Sequence, residues 1–470
     1  MSLLRPSRPQ PPNSQSRSEA GWHGITALHP REPSLIERLR NLLRPTARLV
    51  RRFWQSWSGQ ASARQLDALL LAHDDLVTGM RRLMRERAIG WAPPSDLALP
   101  HLVWVSSWQT RCGIAEYSRH LLGAMQAQHA WHITVLNDDR PSLPQIVPML
   151  GVTARPVFRV GEMSSVGRLA LGIAAADPDC VVIQHHAGLM PWPMLADLLL
   201  HPLLAARRIV VVLHNTTELL QLSRRLQARM QLALRGADLV LVHTARDIGL
   251  LNTFGLSHVR GIAHGCLGGG AAPLPRLLPP HTTPVIGCTG FLMPHKGVQK
   301  LIRAVSSLRT TWPGLRLRLV MARYPGSASA AELRACQALA RSLRFEDHID
   351  WHTEFLPEEE AVALLRDCDL LVLPTLRSGE SSSASARLAL ASGVPVLVSD
   401  LPIFDDLSDA VARFNEANPG GLAGQISDWL HAPLRRAHLQ NQADAWRREH
   451  DVALVAEKLG GILDNLPVAK

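Results

Sequence analysis

The feature that most constrains this chain is an alternation of short apolar runs with amphipathic stretches, interrupted once and then resumed. In the first series HLVWVSS (101–107), HITVLND (132–138), CVVIQHH (180–186), RIVVVLHN (208–215) and LVLVHT (239–244) are almost continuously apolar. Such runs mark strands buried on both faces. Helical patterns separate most of them, after Gly113 and across 190–204 and 217–236. A segment holding Gly268–Gly270, Pro273, Pro275, Pro279 and Pro280 breaks the rhythm and reads as a linker. PVIGCTG (284–290), LRLRLVM (315–321), DLLVLP (369–374) and PVLVSD (395–400) then restart it. Strands alternating with helices form parallel sheets covered on both sides. The expected fold is therefore α/β, with two Rossmann-type domains facing a cleft and ligands at the carboxyl ends of the strands.

The spacing predicts an N-terminal Rossmann-like domain over 99–275 and a C-terminal one over 282–435. A terminal helical segment, 436–470, is expected to cross back. A length of 470 residues is too great for one ordinary core and suits this division. Before it come a tail, 1–33, whose Pro, Ser and Arg content predicts disorder, and a helical extension with a linker, 34–98. Ser34 and Glu37 have capping-box spacing. Beyond them, arginines interleave with Leu35, Leu39, Phe53, Trp54 and Trp57, and Pro45 divides the helix. Residues 34–58 therefore suit an anionic membrane surface, or packing on the main body; both readings stand.

The net charge of +10 is almost all arginine, the only lysines being Lys296, Lys300, Lys458 and Lys470. It favours anionic partners, whether nucleotides, phospholipid headgroups or nucleic acid, without choosing among them. Six scattered cysteines without a CxxC pair read as reduced thiols, and no metal site is expected. No apolar run approaches the roughly 20 residues of a membrane span, and the start lacks the apolar core of a secretory signal. The expected location is cytoplasmic, with peripheral contact to the inner membrane face.

Four strand ends carry candidate chemistry. In LVLPTLRSGESSSASARLALASGVPVLVSD (371–400) a strand ends at Pro374 and a helix starts among the serines. The amides of Ser381, Ser382, Ser383 and Ala384 suit phosphate, and Glu380 is placed to accept from sugar hydroxyls; a serine-rich cap without a ligand is the equal alternative. In CTGFLMPHKGVQKLIRAV (288–305) a strand ends at Gly290, and Lys296 opens a helix where it can neutralise a diphosphate or be an ordinary surface lysine. In WVSSWQTRCGIAEYSRHLL (104–122) Gly113 admits a ligand near the turn, with Arg111 or Glu116 toward the cleft. His214 ends a buried strand, where ligands gather, although lone histidines are more often structural.

TRCGIAEYS (110–118), VVLHNT (211–216), HG (264–265), GFLMPHKG (290–297) and ESSSASARLALASGVPV (380–396), in this order, make the chain similar to the retaining, metal-independent glycosyltransferases of family 4, which have the GT-B fold. The resemblance runs over about 101–460. It implies transfer of a sugar from a nucleotide diphosphosugar to a glycan or lipid-linked glycan in surface polysaccharide synthesis, with no cofactor besides that substrate. It also implies the acceptor side in the first domain and the donor side in the second, and a nucleotide partner with no nucleic acid. By resemblance Lys296 binds the donor diphosphate beside Gly290. Glu380 and the amides after it hold the sugar and distal phosphate, His214 contacts the sugar, and the loop with Arg111, Gly113 and Glu116 shapes the donor and acceptor sites. His214, Glu380 and Lys296 are thus the expected catalytic residues.

Two positions depart from that pattern. The second glutamate, expected eight residues after Glu380, is Leu388, which leaves the ribose to Arg387 or the backbone. Phe291 stands where many members carry a diphosphate-binding arginine, for which Arg111 or His295 can substitute. The aspartates Asp405–Asp406 follow a strand-end proline and read as separate from the donor site. The departures leave room for a non-catalytic scaffold, and a sugar-nucleotide epimerase or hydrolase is the other alternative.

Overall fold

Two wholly parallel sheets organise the computed structural model, which describes residues 99–110, 112–128, 131–139, 149–205, 207–266, 283–415 and 420–466. The tail 1–33, the extension 34–98 including residues 34–58, the glycine- and proline-rich linker and Arg111 lie outside the described residues. The first sheet contains β1 (His101–Val105), β2 (His132–Asp138), β3 (Val152–Phe158), β4 (Cys180–His185), β5 (Arg208–Leu213), β6 (Leu239–Val242) and β7 (Val259–Gly261). Their order in space is β3-β2-β1-β4-β5-β6-β7. Around it pack α1 (Gly113–Gln128), α2 (Val166–Ala176), α3 (Trp192–Leu199), α4 (Arg224–Arg235) and α5 (Ala245–Thr253).

The second sheet repeats the plan with β8 (Val285–Phe291), β9 (Arg316–Ala322), β10 (Ile349–His352), β11 (Leu370–Leu373), β12 (Val396–Ser399) and β13 (Ala412–Phe414), ordered β10-β9-β8-β11-β12-β13. Its helices are α6 (Val298–Ser307), α7 (Ser327–Ser342), α8 (Glu358–Arg366) and α9 (Ala384–Ala391). Strand order reverses between β1 and β4 and again between β8 and β11, and such reversals open a crevice at the carboxyl ends. The helices α1 and α9 therefore begin beside the two crevices.

Every apolar run singled out in the sequence is a strand, and the central ones, β4, β6, β11 and β12, are buried at every residue. The strands that those runs did not reveal, β3, β7, β10 and β13, are the four sheet edges. Each is short or half-exposed, as in VTARPVF and VRG, because an edge strand has only one neighbour to bury it.

Three further helices, α10 (Gly421–His431), α11 (Pro433–Glu449) and α12 (Val452–Asp464), end the described chain. On α12, Val455, Ala456, Leu459 and Leu463 join Leu102, Trp104, Leu121 and Met125 in one apolar layer of the first half. The crossing is pinned at Cys266, whose N–H donates to the His450 carbonyl at 2.7 Å while its own carbonyl accepts from Val452 N–H at 2.9 Å. Among the described residues no helix is long and apolar enough to cross a membrane.

Candidate active site

The loop after β8 is built to a tight geometry. Gly290 has φ 129°, and a methyl group there would lie 2.5 Å from Ser385 Oγ, so the strand end sits directly against the start of α9. A single turn, Pro294–Lys296, leads to Gly297 in the left-handed region at φ 73°. A Cβ on Gly297 would come 2.0 Å from the Pro374 carbonyl oxygen, and Leu376 N–H donates to the His295 carbonyl at 2.8 Å. The loops after β8 and β11 are thereby interlocked. Gly297→Ala, which meets both the left-handed backbone and fixed backbone atoms, should cost about 3 kcal/mol or more. An unchanged thermal midpoint would show that the loops are not locked in this way.

Lys296 is the last residue of that turn, one residue before the cap of α6 rather than inside the helix. It is half-buried and has no carboxylate partner among the described residues. Burial first, and the Lys296 charge second, lower the pKa of His295, while Glu380 raises it. Lys296 and Glu380 thus act on the same imidazole.

The serines before α9 have separate tasks. Ser383 Oγ accepts from Ala386 N–H at 3.2 Å and caps the helix, as one reading of the sequence had it. Ser382 donates to Asp406 at 2.7 Å. Ser381 is turned to the other half: its N–H donates to the His214 carbonyl at 3.2 Å and its hydroxyl to Asp247 at 2.9 Å. The Ser381 amide is therefore spent within the protein. The amides of Ala384 and Ser385 open the helix, where no intrahelical acceptor exists for them. Glu380 is exposed, and its carboxylate has no ion pair among the described residues.

Opposite stands the start of α1. A Cβ on Gly113 would lie 3.5 Å from Ala384 Cβ, so two helix N-termini from opposite halves meet head to head. Each carries a partial positive charge, and together they favour an anion. Glu116, in the first turn of α1, is bound by Arg119 at 2.9 Å. With His120 and Glu358 it forms the only group of potential metal ligands among the described residues. Arg119 also reaches Glu358, at 3.5 Å, so a cation already lies on both carboxylates.

His214 follows β5 inside a cluster with His243, His264 and Tyr117, whose ring centroids lie 5.2 Å (His214), 5.7 Å (His243) and 4.7 Å (His264) from that of Tyr117. Burial lowers the pKa of all three imidazoles, that of His243 to about 4. The tautomers follow from the hydrogen bonds. His243 Nδ1 lies 3.1 Å from the Ile262 carbonyl and must donate, which leaves its Nε2 to accept from His214 Nδ1 at 3.1 Å. His214 Nε2 is then an acceptor, 2.7 Å from the Gln184 amide, which satisfies it by presenting its NH2 group. Both nitrogens of His214 are engaged, and direct contact with a sugar requires release of Gln184.

The sequence pattern did not single out Asp247 or His243, and it set Asp406 apart from the site. Asp247 is buried and accepts from Thr216, Thr244 and Ser381 hydroxyls, fastening the loop of Ser381 to the first half. Asp406 was expected apart from the site, yet it accepts from Ser382 and pairs with Arg387. Arg387 is 5% exposed, and it also donates to the Ser383 carbonyl at 3.1 Å and the His264 carbonyl at 2.6 Å. Leu388 packs on the core of the second half. Phe291 turns to Tyr324, at 5.2 Å and 83°, and to Phe355, at 6.0 Å. For His243 the signal was present in LVLVHT, which ends like the run holding His214.

The model of the family described as Glycosyl transferases group 1 matches residues 275–446. A D-inositol 3-phosphate glycosyltransferase of Corynebacterium efficiens is 34% identical over 192 residues, 40% of this chain and 44% of that protein. The enzyme of the same name from Corynebacterium jeikeium is 35% identical over 196 residues, 40% of this chain and 45% of its own length. The chain thus spans under half the length of these relatives. Among solved structures, sucrose-phosphate synthase from Thermosynechococcus elongatus superposes with a TM-score of 0.62 at 16% identity, covering 79% of this chain and 100% of its own. Anabaena HepE in complex with UDP gives 0.61 at 15% identity, covering 78% and 100%. The architecture is the GT-B fold, two Rossmann-like domains about a cleft.

Proposed function

We propose that this chain is a glycosyltransferase that moves a sugar from a nucleoside diphosphate sugar to a hydroxyl acceptor, with retention at the anomeric carbon and without a metal. The observation that carries the reading is the meeting of two helix N-termini at Gly113 and Ala384, with Lys296 on the loop packed against the same helix start. Three positive groups around one crevice suit a diphosphate. The match to Glycosyl transferases group 1 covers the half that holds Lys296 and Glu380, and a structural neighbour is titled as a complex with UDP.

In the reaction the bond from the anomeric carbon to the distal phosphate oxygen breaks, and the diphosphate leaves with the electron pair. The acceptor oxygen bonds to that carbon, and its proton passes to the departing phosphate. Lys296 and the amides of Ala384 and Ser385 stabilise the developing charge, which preorganised donors do without reorganising. Glu380 accepts from the sugar hydroxyls. His214 presents its carbonyl to Ser381 and so positions the loop of Glu380. With Arg387 committed to Asp406 and two carbonyls, the ribose falls to backbone groups.

The acceptor in this reading is a growing glycan or lipid-linked glycan of a surface polysaccharide, met at the cytoplasmic membrane face through residues 34–58. Its support is the arginine and aromatic pattern of that segment. The names of the relatives supply the competing arm, a small phosphorylated acceptor.

Ligand-detected binding across GDP-, UDP-, ADP- and dTDP-sugars tests the proposal. In Glu380→Gln, turnover should fall by the equivalent of about 1–3 kcal/mol while nucleoside diphosphate affinity stays near that of the parent. A variant with normal transfer but weak nucleotide binding would place Glu380 at the wrong end of the donor. If no nucleotide sugar binds, the chain is a non-catalytic GT-B scaffold, which the packing of Leu388 and Phe291 favours. Sugar-nucleotide turnover without any acceptor would instead identify an epimerase or hydrolase.

A further inference from the structure

The chain leaves the first half and returns to it at one joint. His264, Gly265 and Cys266 follow β7 on the way out, and His450 to Val452 lead from α11 into α12 on the way back. Besides the two backbone bonds of Cys266, a Cβ on Gly265 would lie 3.1 Å from Val452 Cα, so the passages run backbone against backbone. A change in the angle between the halves has to turn here, where the chain itself connects them.

Arg387, buried on α9 of the second half, reaches this joint. Its Nε donates to the His264 carbonyl at 2.6 Å, and its own carbonyl accepts from the Cys266 thiol at 3.5 Å. Nη1 donates at 3.1 Å to the carbonyl of Ser383, the cap of α9, and Nη2 pairs with Asp406. The guanidinium carbon lies 5.7 Å from the centre of the Trp446 ring. Trp446 in turn donates to the Asp406 carbonyl at 3.3 Å and stacks on His450 at 4.1 Å and 9°. A circuit of contacts thus runs from α9 to His264, through Cys266 to His450 and Trp446, and back to Arg387.

Ser383, Asp406 and Trp446 belong to the second half, and Trp446 packs in its core, so their contacts move with Arg387. The His264 bond is the one that the guanidinium makes across the halves. A displacement of about 1 Å takes it past the usual limit of about 3.2 Å. That leaves a buried carbonyl and a charged donor unpaired, which opposes opening. Only a guanidinium serves both sides, since it donates from Nε in one direction and from its terminal nitrogens in others, whereas an ammonium is a single point. The halves also meet at Ser381, Gly379 and Glu358, through side chains that take no part in the joint.

We infer that Arg387 is a positioning residue that holds the two halves closed, by tying the start of α9 to the His264 carbonyl at the joint. It acts on the crevice between Gly113 and Ala384 without belonging to it: when the His264 bond is lost, the closed arrangement loses its advantage over open ones. This does not depend on the transferase reading.

Hydrogen exchange of the full chain without ligand, read by mass spectrometry, tests it in Arg387→Lys. The lysine keeps a charge beside Asp406 and removes the Nε donor. Exchange should quicken at least about tenfold at Ser381, whose N–H donates to the His214 carbonyl, and at Cys266 and Val452 of the joint, while β4 and β11 keep the protection they have in the parent. A residue that merely packs α9 would instead alter 384–391 and leave Cys266 and Val452 unchanged. If the lysine variant loses the protection of β4 and β11, Arg387→Met combined with Asp406→Asn takes its place, because removing both charges together leaves neither buried alone. The same three sites should quicken there. Parent-like exchange at Ser381, Cys266 and Val452 in a folded variant, or a change confined to 384–391, would overturn the proposal.

Discussion

Replacing Lys296 by alanine should lower turnover by at least about 10²-fold, the scale on which one preorganised donor to a developing anion acts. The side chain is half-buried, ends a turn locked by Gly297 against Pro374, and has no carboxylate to neutralise it among the described residues. Its charge is therefore available to a ligand. The helix termini at Gly113 and Ala384 remain in the variant, so some transfer should persist. Stability should change little, because Lys296 leaves no partner unpaired. The measurement is steady-state turnover with the preferred donor, alongside thermal unfolding of both proteins. Parent-like turnover would remove Lys296 from the diphosphate site, and a large loss of stability would make it a structural residue.

Acid should unfold this chain early, and the buried histidines say where. Burial is the first cause lowering His185, His214, His243 and His264, with His185 at about 3 and His243 at about 4. An unfolded imidazole titrates near 6.5. A group whose pKa is depressed on folding contributes stability that is present above its unfolded value and is lost as pH falls toward the folded one. For His243 the loss approaches about 3 kcal/mol by pH 4, and the others add to it. Unfolding near pH 5 should accordingly take up about four protons. The slope of unfolding free energy against pH measures that number at each pH, and it should steepen from about one proton at pH 7 to about four at pH 5. A flat profile across this interval would mean that the cluster is solvated or already charged in the native state.

The sequence by itself determined the central strands and what stands at their carboxyl ends. A strand buried on both faces is mostly apolar, so β4, β5, β6, β11 and β12 announce themselves, and their polar residues fall at the strand ends, as Gln184 and His185 of β4 and Ser399 of β12 do. His214 and the segment from Glu380 to Arg387 were legible for that reason, and so was the resemblance they carry. Tertiary structure alone decided the edge strands β3, β7, β10 and β13, whose half-exposed residues carry no continuous pattern. It also decided the pairings. His214 meets His243 only because β5 and β6 are neighbours in the sheet, and Ser381 finds Asp247 from 134 positions away. Arg387, Leu388 and Phe291 had open roles as letters, and packing assigned them: an ion pair with Asp406, a place on the core, and a ring cluster with Tyr324 and Phe355. Periodicity reports whether a residue is buried. Which residue it is buried against depends on how distant elements dock, and no local pattern contains that.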